Sequence, residues 1–147
     1  MMHMKTYTET NKLAELHEPP VGSILYDINK TSLKKELFTI IGRSYNEIAM
    51  VRLFEHAELN TTIAGKWYQL CNKLKSAKNN LLSLKPLYTD PSRLIIKDRY
   101  QLIHLLHRDP DRLAGYINKR DLENIVASVN TINTISADIK NKYFNYL

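Results

Sequence analysis

The sequence predicts an all-α fold, a helical bundle of about four to five helices, and three observations carry that expectation. Apolar residues recur at spacings of three and four through most of the chain. No stretch shows sustained period-two alternation. Only 4 Gly and 5 Pro occur in 147 residues, too few for a turn-rich sandwich or barrel. The length suits one domain, and a 44% apolar content supports a core. We expect a flexible tail over residues 1–22 and a single bundle over 23–147.

The tail ends in Glu18-Pro19-Pro20-Val21-Gly22 and has room for one short helix at Asn11 to His17. Thr31 or Ser32 then offers a cap, and Leu33, Leu37, Ile41, Ile48 and Val51 share one side of a helix to about Leu59, bent at Gly42. Asn60, Thr61 and Thr62 open the next helix, whose stripe runs through Ile63, Trp67, Leu70, Leu74, Ala77 and Leu81 until Pro86. Asp90-Pro91 is a cap followed by a tolerated first-turn proline, predicting a helix to about His107. Asp109-Pro110 predicts a shorter one to about Asn118. The last begins near Asp121, where Leu122, Ile125, Val129, Ile132, Ile139, Tyr143 and Tyr146 alternate by three and four and Ser136 fills the polar gap. That stripe, about seven turns long, predicts a homodimer, with Tyr143, Phe144 and Tyr146 as an exposed aromatic patch. The expected core is Leu37, Ile41, Ile48, Trp67, Leu70, Leu74, Ile95, Leu102, Val129 and Ile132.

Twenty-one Lys and Arg against fifteen Asp and Glu give a net charge of +6, which favours phosphate-rich partners. The lysines are spread out rather than run together. One cysteine, Cys71, excludes an internal disulfide framework and a cysteine-rich zinc site, and its apolar neighbours favour a buried thiol over a nucleophile. No eighteen-residue apolar run exists to span a membrane, and Met1 to Asn11 lacks the apolar core of a signal peptide. A cytoplasmic protein is expected. Walker, GxGxxG, GxSxG and HExxH patterns are missing, so no cofactor is expected. His104 and His107 are three apart on the expected helix, without a third ligand in the motif, so no metal is expected either.

The remaining signal is Arg99. At 100° per residue it falls about 40° from Ile95, inside the apolar stripe of its helix. A buried guanidinium needs carboxylates, carbonyls or phosphates. Arg99 either serves a functional site, with Asp98 beside it, or it snorkels or clamps an acid on another helix.

Arg99, four residues and His104 match the R-x4-6-H motif of HEPN domains, and residues 30 to 147 resemble that family in the order of long helices around it. Tyr100 follows the arginine where family members usually carry Asn or Asp. The resemblance implies an all-α bundle and a metal-independent endoribonuclease of a defence or toxin–antitoxin system, its motif lining a dimer interface. It implies that His104 acts as general base or acid toward the ribose 2′-hydroxyl and Arg99 holds the phosphate. Tyr100, His107 and Asp98 would be auxiliary, as donors or orienting groups.

The alternative is a non-catalytic interaction module, such as a dimerising adaptor, an inhibitor or an RNA-binding subunit, with RNA or a protein as partner. A DNA-binding helix pair around Asp109 to Lys119 is a weaker third, because no recognition helix rich in Arg, Asn and Gln follows the turn.

Overall fold

A computed structural model describes residues 18–26, 36–55, 68–70, 75–76 and 86–144. The all-α bundle is not the fold. The described residues form a large antiparallel sheet with helices on both faces. In chain order the strands are β1 (Ser23–Tyr26), β2 (Leu37–Arg43), β3 (Glu47–Glu55), β4 (Tyr68–Gln69), β5 (Lys75–Ser76), β6 (Leu87–Thr89), β7 (Ile95–Asp98) and β8 (Leu113–Tyr116). The helices are α1 (Arg99–Arg108), α2 (Lys119–Thr131) and α3 (Ala137–Phe144). Neighbouring strands follow the order β4-β6-β3-β2-β1-β8-β5, and β7 pairs with the first half of β3. The all-α bundle implied by the HEPN resemblance is overturned with it.

The centre of the sheet explains why a helix was expected there. Along β3, Ile48 and Met50 face Leu102 and Leu106 of α1, together with Leu25, Phe38 and Ile40. Ala49, Val51 and Leu53 face the other way, into a second cluster with Ile125, Val126 and Val129 of α2 and Tyr143 and Phe144 of α3. Both faces are covered, so the strand reads as a nearly continuous apolar run rather than an alternation. Ile48 and Val51, expected on one side of a helix, lie on opposite faces of one strand. Each fully buried Ile, Leu or Val contributes about 1.5–3 kcal/mol, and this two-sided burial overrides the weak helical spacing.

Gly42 does not bend a helix. The β2–β3 register shifts between Ile40 and Gly42, and the end of α3 rests on this bulge so closely that a Cβ on Gly42 would lie 2.6 Å from Phe144 Cε1 and 2.7 Å from the Tyr143 carbonyl oxygen.

The expected helix from Asp90 to His107 is a turn, a strand and a shorter helix. Asp90 does cap, but it caps a turn: its buried carboxylate accepts from the Ser92 amide at 3.0 Å and the Ser92 hydroxyl at 2.5 Å. The chain then pairs as β7 with β3 before Asp98 starts α1, accepting from Gln101 N at 2.9 Å. The helix expected at Asp109 to Asn118 is one 3-10 turn, Pro110–Arg112, followed by β8, so no helix pair of DNA-binding type stands there.

The last expected helix is two. α2 ends at Thr131, and Ser136, expected inside a continuous stripe, instead caps α3, its hydroxyl accepting from Ile139 N at 3.2 Å. At 13 and 8 residues, neither helix has the length on which dimerisation was expected, and Tyr143 and Phe144 are buried rather than exposed. The expected helix at Asn11 to His17 lies outside the described residues, as do Leu33, Trp67, Cys71, Leu74, Leu81 and Tyr146. Where the stripe from Asn60 to Leu81 is described, it carries β4, the buried Leu70 and β5. No described helix is long and apolar enough to cross a membrane.

Candidate functional site

Three segments meet at one end of the sheet: the strap Glu18-Pro19-Pro20, the β2–β3 hairpin loop and the start of α1. The strap is fixed from its far end. Gly22, at φ 98°, turns the chain into β1, and its amide donates to Ile40 O at 2.7 Å. The Ser23 hydroxyl donates to Pro20 O at 2.6 Å. Two prolines in succession hold the preceding backbone extended, and Glu18 is thereby delivered to α1.

The hairpin loop is closed by Ser44, whose amide donates to Glu47 O at 2.8 Å and whose hydroxyl accepts from Glu47 N at 3.1 Å. This turn points three backbone carbonyls at the first residue of α1. Arg99 anchors there by its amide, which donates to Asn46 O at 2.9 Å. Its Nη1 donates to Tyr45 O at 3.1 Å and, at 3.5 Å, reaches Ser44 O. Its Nη2 donates to Glu18 Oε2 at 2.5 Å, and its Nε lies 2.5 Å from Glu18 Oε1 as an ion pair, although Oε1 accepts no hydrogen bond. The pair is largely withdrawn from water, with 26% of the arginine side chain and 9% of the glutamate side chain exposed. The bonds to Glu18 raise the Arg99 pKa above its ordinary value, outweighing the opposing effect of burial. Arg43 approaches the same carboxylate at 3.8 Å.

Around this clamp the surface is aromatic and basic. Tyr45 is 84% exposed at the hairpin tip and Tyr100 is 45% exposed on α1. Tyr45 offers its backbone carbonyl to Arg99, and Tyr100 is the next residue along α1, so both tyrosines adjoin the clamp in the chain. His104, His107 and Arg108 continue along the exposed side of α1. A cavity of about 250 Å³ borders Glu18, Pro19 and Pro20 on one side and Leu106, Leu113 and Tyr116 on the other.

Arg99 and His104 therefore share α1 but are not drawn together as a pair within one chain. Five positions along an α-helix separate their directions by about 140°, and Arg99 is engaged by Glu18 while His104 faces outward. Of the expected auxiliaries, Asp98 serves as the α1 cap and Tyr100 and His107 are exposed. Among the described residues no three His, Cys, Asp or Glu side chains gather as a metal site.

Sequence reasoning did not find Glu18, Arg43 or Tyr45. Glu18 lay in the segment assigned to the tail, where only the following Pro19-Pro20 marked a stiff approach. Tyr45 lay in an expected helix, although Gly42-Arg43-Ser44-Tyr45-Asn46 carries the turn-forming residues that signal a hairpin. The chain significantly matches no family model, no curated protein and no solved structure.

Proposed function

We propose that the protein is a non-catalytic module that binds single-stranded RNA on the surface formed by Arg43, Tyr45, Tyr100 and His104. The observation that carries this reading is the exposure of two tyrosines, one at the hairpin tip whose backbone holds Arg99 and one next to Arg99 on α1. A tyrosine with 84% of its surface in water contributes little to the core, and an aromatic ring at a hairpin tip is a platform on which a base can stack. Such stacking contributes about 1–3 kcal/mol per base and tolerates every base. Arg43, Arg108 and the net charge of +6 supply attraction for the phosphates between stacked bases. Single strands are the form in which bases are splayed for such contacts.

A binding role is favoured over cleavage because the arginine needed to stabilise a developing phosphorane is held by Glu18 and points away from His104. Fluorescence anisotropy with a labelled RNA oligonucleotide tests the reading. Replacing Tyr45 and Tyr100 by Ala, one at a time, should weaken binding by about 5- to 150-fold each, the equivalent of 1–3 kcal/mol, with melting behaviour unchanged. Binding that survives both changes would overturn it. Cleavage of the oligonucleotide that disappears in His104→Ala would restore a catalytic role.

A further inference from the structure

We propose that Arg99 and Arg43 form a phosphate site that Glu18 occupies in the free chain, so that an RNA phosphate displaces the strap's carboxylate when it binds. This rests on the RNA-binding reading and gives that surface a regulation.

Two arginines converge on one carboxylate here, leaving a local surplus of one positive charge. The other acids near this end are engaged elsewhere: Asp98 caps α1, and Glu47 accepts from Lys142 and Tyr143. Arg99 donates to one Glu18 oxygen through Nη2 and pairs with the other through Nε, leaving Oε1 without a hydrogen bond, and a guanidinium fork of this kind can hold a phosphate instead. Its remaining nitrogen is fixed by the Tyr45 carbonyl, so the guanidinium would stay in place if Glu18 left. The two exposed tyrosines that would stack bases adjoin this group, Tyr45 through its backbone carbonyl and Tyr100 as the next residue of α1. The site also has an open side. Glu18 borders the 250 Å³ cavity beneath the strap, and Arg43 is 45% exposed, so exchange does not require the sheet to open.

Glu18→Gln keeps the size of the side chain and removes its charge. In the full chain it should tighten binding of a single-stranded RNA oligonucleotide about tenfold, as a charge-assisted contact to phosphate is gained. It should also steepen the slope of log K against log salt by about 0.7, one added phosphate contact on a single strand. Adding Arg99→Ala to Glu18→Gln should remove both gains. In the unaltered chain, the Glu18 carboxyl-carbon and Arg99 Nε–H resonances should move on titration with the oligonucleotide, and this readout decides the matter if the Gln variant does not fold. RNA binding with an unchanged salt slope in Glu18→Gln and stationary resonances would overturn the phosphate site while leaving the surface intact. Binding by neither chain would remove the RNA reading and this proposal together.

Discussion

Gly42→Ala separates a sheet from a bundle by the sign of its effect. At this position an added Cβ would lie 2.6 and 2.9 Å from carbons of the Phe144 ring and 2.7 Å from the Tyr143 carbonyl oxygen. The carbonyl belongs to the backbone of α3 and cannot step aside alone, and the Phe144 ring is buried. The helix is also tied to β3 through Tyr143 Oη, which donates to Glu47 at 3.0 Å. Overpacking of this kind costs about 1–3 kcal/mol. Replacing Gly by Ala returns about 0.4–1 kcal/mol through the unfolded chain, so a net loss of about 1–2 kcal/mol is expected. For a chain of this length that lowers the melting temperature by roughly 2–8 °C. In the interior of a helix the same substitution would stabilise by about 1 kcal/mol and raise the melting temperature. Thermal melts followed by circular dichroism, with urea midpoints beside them, read the difference. An unchanged or higher melting temperature would refute the seating of α3 on the β2 bulge.

Arg99→Ala should destabilise the fold by about 2–3 kcal/mol, because it strands the mostly buried Glu18 carboxylate, whereas His104→Ala on the exposed side of α1 should leave the urea midpoint unmoved. Acid stability should depend on Glu47, whose bonds from Lys142 and then Tyr143 hold its carboxyl below the usual range. A depressed carboxyl contributes stability above its unfolded pKa and loses it as the pH falls through the folded one. Glu47→Gln should therefore flatten the stability profile below about pH 4, and a parallel profile would count against the contact. Tyr68→Phe should cost about 1–2 kcal/mol in urea unfolding, since the phenol donates to the buried Asp121 at 3.0 Å and accepts from Asn124 at 3.0 Å. No change there would mean that the start of α2 is held by other groups.

The sequence disclosed which residues are inside far better than how the chain is arranged around them. Ile41, Ile48, Leu70, Leu102 and Val129 are all buried, and Leu37 and Ile95 pack against the clusters they form. Their periodicity misled because β2 and β3 are apolar on both faces, where a short run has no period to distinguish strand from helix. The bulge at Gly42 shifted the alternation further. Local chemistry was legible in part: Asp90 caps, but a turn, and one capping residue cannot tell a turn from the first turn of a helix. The end of α1 near His107 and the start of α2 near Asp121 fall within two residues of expectation. Arg99 was recognisable as a charge lying against the apolar side of its element, and the clamp was one of its two readings. Its partner was not recognisable, because Glu18 is 81 positions away in sequence and nothing local encodes a contact made by the sheet's topology.

The RNA surface is tested most directly by ultraviolet crosslinking of the unaltered chain to a single-stranded RNA, with the attachment sites mapped by mass spectrometry. Crosslinked nucleotides should be found on Tyr45 and Tyr100, with lesser attachment at His104. Crosslinks confined to the opposite face, on α2 around Lys119 and Arg120, would contradict the assignment.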